Sequence, residues 1–464
     1  MLRALLITWL LVSTAAAQIA LPGAGGALLP ERLPGLALPA LRQPPLASLS
    51  HSLRRRVRRL EAARERHILA LLHRHPRLIE ADPDGNPIVR GEVLALSPAA
   101  AALGRAQAAG FTIVRARSLA ALGIRLLVLR APHGTSTWRA LQELRRLDPG
   151  GTYVFNQIYT DSGAVLARAG GPGAPGAIRP AEAAAAGATA KQAVLGLIDG
   201  GVDVGQRVFQ HEVIHQHGCG GAHVPSAHGT AVASLMVGRD ARFAGAAPGG
   251  VLYAADVYCG KPTGGAVEAI AAAFAWMAHE RVPVINVSLV GPPNVLLQQV
   301  VERVMARGSL IVAAVGNDGP AAPPLYPAAY PGVIGVTAVD GERRVLFEAE
   351  RGPQVMFAAP GADIDAAAVP SGLLAVRGTS FAAPLVAGLL ALRLPRPDPQ
   401  AAQRATRDLI RRAIHLGASG RNPVYGYGLV AARLPAHAWR GATASDQSGR
   451  KFRSLRGRIG TPPS

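Results

Sequence analysis

The second half of the chain alternates short, continuously apolar segments with segments of helical periodicity. An apolar run of this length predicts a strand that is buried on both faces of a sheet. Helices between such strands supply the crossover connections that parallel strands need. We therefore predict an α/β fold over residues 191–432, a doubly wound parallel-sheet αβα sandwich. The predicted strands include Ala193–Ile198, Val251–Val257, Val284–Val287, Leu310–Val315 and Val333–Val339, with the helices Ala266–His279 and Val295–Ala306 between them.

A smaller unit precedes the sandwich, over residues 89–160. Its pattern is strand, helix, strand, strand, helix, strand, which is the order of a split βαβ, ferredoxin-like α+β fold. Ser97 and Pro98 are expected to open the first helix, and Gly110 to end it. The predicted strands are Val89–Leu96, Phe111–Ala116, Ile124–Leu129 and Tyr153–Tyr159, and the predicted helices are Ser97–Ala109 and Thr135–Leu147.

The remaining segments have the composition of a leader, linkers and a tail. Residues 1–17 combine a basic start, an apolar run and Ala15-Ala16-Ala17, which predicts a signal peptide and a secreted or periplasmic location. An uncleaved membrane anchor is the alternative. Residues 18–88 are predicted to be a Pro-rich and basic linker, 161–190 a second linker, and 433–464 a basic disordered tail. Residues 51–75 also show helical spacing, which suits a helix on an anionic membrane surface or a solvated, arginine-rich segment.

The formal charge of +20 is carried by the flanks of the chain. Residues 1–190 hold 23 basic and 11 acidic side chains (+12), residues 191–430 hold 19 and 17 (+2), and residues 431–464 hold 7 and 1 (+6). A nucleic-acid enzyme concentrates its basic surface around the site. The near-neutral middle region therefore argues against a nucleic-acid partner, and the flanks leave open a weak contact with an anionic membrane surface.

Three polar residues stand where strands end or helices begin. Ser380 lies in a Gly-Thr-Ser turn that opens a predicted helix, so its backbone N–H is near the positive end of that helix. His228 opens another predicted helix and has a ring nitrogen that can take the proton of a serine. Asp199 ends a strand at the edge where open α/β sheets place function. Each residue alone has an ordinary interpretation as a cap or turn residue.

A fourth candidate is Asn317, just beyond a predicted strand in Gly316-Asn317-Asp318-Gly319. Its amide is suited to donate to a tetrahedral oxyanion, and it also suits a left-handed turn. The order Asp199, His228, Ser380 along the chain is the order of the triad in subtilisin.

The motifs around these residues resemble those of the subtilase family of serine proteases. Gly378–Gly388 is similar to the serine motif of that family, His228–Ala233 to its histidine motif, and Val284–Leu289 to the strand that pairs with substrate. The resemblance covers about residues 190–432. It implies a secreted serine endopeptidase that acts on proteins or peptides. A pseudoprotease that only binds proteins is the alternative, and it would be favoured by loss of a triad residue, but none is lost.

The resemblance also implies a role for each matching residue. Ser380 would be the nucleophile, His228 the general base, Asp199 its orienting partner, and Asn317 an oxyanion donor. The substrate-binding segment would comprise Ser288, Leu289, Val290 and Gly291.

The sequence departs from the family pattern at three places. Gly200 follows the aspartate where the family has Ser or Thr, and Val290 stands where the family has glycine, so that one subsite is expected to be crowded or tilted. The stretch Gly238–Phe243 is short, with one carboxylate between two arginines, which makes a poor Ca²⁺ site. No metal and no cofactor are predicted.

Residues 89–160 resemble, more weakly, the prodomain of such proteases. The resemblance implies a self-processing precursor in which this unit templates folding and inhibits the enzyme, with Thr152–Tyr159 in the substrate cleft. An unrelated accessory domain is the alternative. Subtilase topology also brings Cys219 and Cys259 into one region, which implies a disulfide, with two unpaired thiols as the alternative.

Overall fold

The computed structural model describes residues 51–161, 164–165, 192–241 and 243–432. The predicted signal peptide 1–17, the tail 433–464, most of the linker 161–190 and the linker 18–88 as far as residue 50 lie outside the described residues. None of the helices in the described ranges is long and apolar enough to cross a bilayer.

The N-terminal unit is an antiparallel sheet with the strand order β1-β2-β4-β3, and β5 pairs with β2. The segment β2–α2–β3–β4–α3–β5 has the predicted split βαβ order. The elements are α1 (His51–Arg74), β1 (Ile79–Ala81), β2 (Pro87–Leu96), α2 (Ala100–Ala108), β3 (Thr112–Leu119), β4 (Ile124–Arg130), α3 (Thr137–Leu147) and β5 (Thr152–Gln157).

Both faces of this sheet are buried, because successive residues of a strand point to opposite sides. Val93 and Leu129 belong to the core shared with α2 and α3. Their neighbours Leu94 and Val128 belong to a second core, which includes Phe274 and other residues of the C-terminal unit. One face of the sheet therefore packs on α2 and α3, and the other face packs against the larger unit.

The structure differs from the sequence predictions in three parts of the N-terminal region. Residues 51–81 of the predicted linker contain the helix α1 and the strand β1, and Val57 is only 1% exposed. Helix α2 begins at Ala100, because the Ser97 hydroxyl accepts a hydrogen bond from the Arg125 N–H instead of capping the helix. Strand β5 ends at Gln157, and the last hydrogen bond to β2 runs from the Ile158 N–H to the Pro87 carbonyl at 2.9 Å.

The C-terminal unit is built on a seven-stranded sheet with the order β15-β14-β13-β11-β8-β10-β9, in which every pairing is parallel. Cores on both sides of the sheet confirm the doubly wound αβα prediction. The elements, with the two short strands that precede the sheet, are β6 (Thr160–Asp161), β7 (Ala164–Val165), β8 (Val194–Asp199), β9 (Val213–Gly218), α4 (Ala227–Val237), β10 (Val251–Asp256), α5 (Val267–His279), β11 (Val284–Val287), β12 (Leu289–Val290), α6 (Val295–Ala306), β13 (Leu310–Ala314), β14 (Ile334–Val339), β15 (Val355–Pro360), β16 (Ala362–Ala367), β17 (Leu373–Arg377), α7 (Thr379–Ala391) and α8 (Pro399–Arg412).

The five predicted strands of the sandwich agree with β8, β10, β11, β13 and β14 to within one residue at each end. Strand β9 lacks an apolar run because it lies at the sheet edge, where Val213, His215 and His217 are exposed. The structure joins Cys219, just after β9, to Cys259, just after β10, with their Cα atoms 5.2 Å apart.

Candidate active site

Asp199 and His228 form a buried pair at the carboxyl edge of the large sheet. Asp199 is the last residue of β8, and His228 is the second residue of α4. The Ser226 hydroxyl caps α4 by accepting a hydrogen bond from the Gly229 N–H at 2.9 Å. His228 Nδ1 lies 2.9 Å from Asp199 Oδ1 and 3.0 Å from Oδ2. Because a carboxylate only accepts, Nδ1 carries the proton and Nε2 presents a lone pair.

The structure explains why the residue after Asp199 has no side chain. A Cβ at Gly200 would collide with Ser226 Oγ and would lie 2.8 Å from Ser226 Cβ. Gly200 therefore leaves the space that Ser226 uses to cap the helix carrying His228.

The surroundings of His228 favour its charged form. Burial alone lowers the pKa of His228, but the charge and the hydrogen bond of Asp199 outweigh burial, and the pKa is raised above its ordinary value. The Asp161 carboxylate acts in the same direction. His228 Nε2 is buried without a hydrogen-bond partner in the described part of the chain. The pair is therefore arranged to accept a proton at Nε2 and to stabilise the imidazolium that results.

Ser380 is the second residue of α7 and follows Gly378, whose φ of 135° is one that L side chains rarely adopt. The Ser380 hydroxyl donates to the Ser288 carbonyl at 3.2 Å. The next residue, Phe381, packs against the His228 ring with centroids 5.2 Å apart. The structure thus brings the serine turn and the histidine helix together, as the sequence motifs predict.

Ser288 lies beneath Ser380, with its side chain fully buried. Its hydroxyl donates to the Ser380 carbonyl and accepts from Asn286 Nδ2, both at 2.9 Å. These bonds tie the end of β11 to the first turn of α7. Our sequence reasoning did not single out Asn286, although an asparagine inside the apolar strand Val284–Val287 is a signal for such a contact.

Asn317 is oriented by the turn that holds Ser380. Asn317 Oδ1 accepts from the Thr379 N–H at 3.1 Å, and the Gly316 N–H donates to the Thr379 hydroxyl at 3.3 Å. Because Asn317 Oδ1 accepts the hydrogen bond from Thr379, the donor of this side chain is Nδ2, on the other branch of the amide. Asn317 also lines the central cavity of the cleft.

Glu350 lies beneath this segment and was not singled out from the sequence. Burial, and secondarily the charge of Asp318, raise the pKa of Glu350 to about 9, so its carboxyl group is protonated at neutral pH. The Glu350 N–H donates to the Gly316 carbonyl at 3.2 Å, and a Cβ at Gly316 would collide with Glu350 Oε1. Glu350 therefore supports the segment that carries Asn317. A single acidic residue in a loop gives no sequence signal for this role.

The structure places part of the chain itself along the predicted substrate-binding strand. Strand β6 pairs antiparallel with β12, with Thr160 opposite Val290 and Asp161 opposite Leu289. Strand β7 pairs with β17, where Ala164 lies opposite Arg377, two residues before Thr379. The two residues between β6 and β7 lie outside the described residues.

The prediction that Thr152–Tyr159 lies in the cleft needs a correction. Residues 152–157 stay in the N-terminal sheet as β5, and only the chain from Ile158 onward reaches the cleft. The change occurs because the Tyr159 N–H donates to the Gly265 carbonyl at 2.9 Å and Ile158 pairs with Ala266.

A cavity of about 450 Å³ remains between these strands and helix α1. Its walls come from the C-terminal unit, from β6 and from α1. The residues include Leu60, Arg64, Thr160, Val290, Asn317 and Asp318.

Comparison with known proteins agrees with this geometry. Residues 191–428 match the model of the family described as "Subtilase family". The chain is 34% identical over 209 residues to subtilisin DY of Bacillus licheniformis, which covers 44% of this chain and 75% of that protein. It is 29% identical over 206 residues to the minor extracellular protease Epr of Bacillus subtilis, covering 44% of this chain but only 32% of Epr.

The fold is also similar to that of a solved structure, fervidolysin from Fervidobacterium pennivorans, described as a keratinolytic enzyme related to subtilisin. The TM-score is 0.63 at 20% identity, and the match covers 75% of this chain and 61% of fervidolysin. At that identity the likeness concerns the fold, including the part of the chain before residue 191 that the family model does not cover.

Proposed function

The chain belongs to the subtilase family of serine peptidases, and on that premise we propose that it is an exported serine endopeptidase made as a self-processing precursor. The single observation that carries the proposal is the buried Asp199–His228 pair beside the Ser380 turn. The pairing of β6 with β12 supports the self-processing part, since it lays a segment of the chain where a substrate would lie.

The proposed reaction is hydrolysis of a peptide bond through an acyl-enzyme. The Ser380 hydroxyl gives up its hydrogen bond to the Ser288 carbonyl and passes its proton to His228 Nε2. The Ser380 oxygen then attacks the scissile carbonyl carbon. Asp199 holds the ring and stabilises the imidazolium. Asn317 Nδ2 and the Ser380 N–H donate to the oxyanion. His228 then protonates the leaving amine, and a water molecule, deprotonated by His228, releases the acyl group and regenerates Ser380.

Asn317→Ala is expected to lower kcat by roughly 10²–10³ and to leave KM nearly unchanged, because the lost donor acts on charge that develops only in the transition state. That magnitude comes from subtilisin itself. Steady-state kinetics of the processed enzyme on a peptide substrate give the measurement. Asn422→Ala, which removes a buried asparagine that bonds to the Leu416 carbonyl and does not line the cavity, checks for general loss of stability. An unchanged kcat for Asn317→Ala would remove this residue from the oxyanion site.

The N-terminal unit is proposed to act as an inhibitor held by ion pairs. Arg115 and Arg117 of β3 contact Glu268 of α5, at 2.7 Å each. Burial alone raises the pKa of Glu268, but the hydrogen bonds from the two arginines outweigh burial and hold the pKa below its ordinary value. This network joins the two units beside the cleft and supports a stable, inhibited precursor.

Tyr159 anchors the inhibitory segment at one end of β6. It is fully buried, and its hydroxyl donates to the Pro292 carbonyl. A Cβ at Gly291 would lie 2.6 Å from the Tyr159 ring, so the absence of a side chain there is what admits the ring. Burial raises the pKa of Tyr159 well above its ordinary value, which keeps the phenol neutral and able to donate.

Processing is expected at a bond between Asp161 and Ala164, because β6 and β7 approach the Ser380 turn from opposite sides. The processed enzyme should therefore begin at residue 162, 163 or 164. N-terminal sequencing and intact mass of the exported protein measure this position. A fully active form that begins near residue 18 would contradict the assignment and make residues 89–160 a permanent accessory domain.

Two features are the grounds for proposing export: the predicted signal peptide at residues 1–17 and the disulfide between Cys219 and Cys259. A disulfide between Cys219 and Cys259 forms and persists in an oxidising compartment. Related proteins in the comparison include an extracellular protease and subtilisins. A secreted or periplasmic location fits these observations.

A further inference from the structure

Helix α1 lies upstream of the split βαβ unit, and four of its residues form a stripe along one face. Leu60, Arg64, His67 and Ile68 follow the spacing i, i+4, i+7, i+8, which places them on one side of a helix. All four line the cavity of the cleft. The helix therefore directs its stripe toward the candidate active site rather than toward solvent.

Three contacts hold α1 to the C-terminal unit. The Arg64 guanidinium forms an ion pair with Asp318, the neighbour of Asn317. The Arg56 guanidinium carbon lies 4.0 Å from the centroid of the Phe347 ring, a cation–π arrangement. The Leu60 side chain lies 3.4 Å from where a Cβ of Gly319 would be. Two of these contacts cover the 316–319 loop, whose residues Asn317 and Asp318 line the same cavity as Val290 of β12.

The C-terminal half of α1 is joined to the segment that enters the cleft. Leu71 and Leu72 pack against a buried cluster that includes Ile79 of β1 and Ile158, just before β6. Movement of α1 away from the 316–319 loop would expose this cluster. The helix and the cleft segment are thus parts of one packed structure.

We propose that α1 is a second inhibitory element, which covers the 316–319 loop and keeps the N-terminal fragment bound after the bond between β6 and β7 is cut. The inference rests on the proposed function. Pairing with β12 alone holds two residues of β6. Helix α1 adds an ion pair with Asp318, a cation–π contact with Phe347 and an apolar contact at Gly319, which form a second set of contacts around the same cavity. Peptidase activity then appears only when α1 is released.

The test uses full-length precursors that differ only in α1 and therefore yield the same processed enzyme. In the double variant Leu60→Asp/Arg64→Glu, the delay between cleavage and the appearance of peptidase activity should shorten by about tenfold, because apolar contact is lost and the new carboxylate at position 64 repels Asp318. The matched control is Arg66→Glu, the same charge reversal as at position 64, made at an exposed position of the same helix. It should keep the wild-type delay. Cleavage is followed by mass spectrometry and activity with a fluorogenic peptide.

A second measurement does not depend on peptidase activity. In Ser380→Ala precursors, hydrogen exchange of the backbone amides at residues 316–319 should be faster with the double change in α1 than with Arg66→Glu. Protection of the large sheet shows that each variant is folded. Equal delays and equal exchange in the two α1 variants would overturn the inhibitory role of α1. A different result would count against the proposed peptidase function: faster exchange in the Ser380→Ala chain with the double change, but no activity in any precursor that keeps Ser380.

Discussion

Replacing Ser380 with alanine is expected to abolish peptide-bond hydrolysis and to leave the chain uncut between Asp161 and Ala164. Ser380 lies in the first turn of α7, directly before Phe381, which packs against the His228 ring. The loss in kcat should be about 10⁶-fold, the magnitude known for the corresponding serine in subtilisin. Expression in a protease-deficient host, with the intact mass of the product, gives the measurement.

The controls separate catalysis from folding. Ser371→Ala removes an exposed hydroxyl that precedes β17 and should process at the wild-type rate. The Ser380→Ala precursor should still bury Tyr159, because alanine fits within the space of serine. Processing of Ser380→Ala at the wild-type rate would show that another protease makes the cut and would end the proposal of self-processing.

The sequence was sufficient to place Asp199, His228 and Ser380 at one edge of the sheet, because these residues stand at strand and helix ends. Asp199 ends β8, and His228 and Ser380 each occupy the second position of a helix. In a parallel sheet the carboxyl ends of all strands meet at one edge. Local motifs together with the period of the apolar runs therefore predict that these distant residues meet.

The sequence did not predict where a backbone segment changes its hydrogen-bonding partner. Residues 153–159 read as one strand, yet the last hydrogen bond to β2 runs from the Ile158 N–H to the Pro87 carbonyl, and the Tyr159 N–H already donates to Gly265. Side-chain alternation is the same on both sides of that change, so it carries no local signal. The burial of Glu350 likewise depends on loops that meet only in the folded chain.

Helix α1 is a second case, in which the sequence predicts the helix but not the surface on which it packs. The spacing of Val57 and Leu60 indicates a helix, but a basic helix with a narrow apolar stripe suits a membrane surface, solvent or a protein cleft equally well. What selects the cleft is the carboxylate of Asp318 and the ring of Phe347, which lie far away in the chain. Such complementarity is tertiary information.

The N-terminal unit stabilises helix ends of the larger unit through contacts that a chain cut after Asp161 would lack. Helix α5 has no side-chain cap of its own, and Asn156 Oδ1 of β5 accepts from the Glu268 N–H at 3.2 Å. Asn294, the cap of α6, donates its amide to Gln157 Oε1 at 2.9 Å and to the Phe155 carbonyl at 3.2 Å. Parallel sheets with many non-local contacts fold slowly, so early formation of these helices matters for the rate.

The processed enzyme, once unfolded in denaturant and diluted, should therefore regain activity slowly unless the N-terminal fragment is added. The cap that Asn156 supplies is worth about 1 kcal/mol, which corresponds to roughly fivefold in rate when it forms in the folding transition state. Refolding is followed by the fluorescence of tryptophans such as Trp276 and by a late activity assay after the fragment has been degraded. Fragment carrying Asn156→Ala should accelerate refolding less than wild-type fragment, and fragment carrying the exposed Arg139→Ala should match wild type. Equal refolding rates with and without fragment would contradict a templating role, because the cap from Asn156 of β5 would then form after the rate-limiting step.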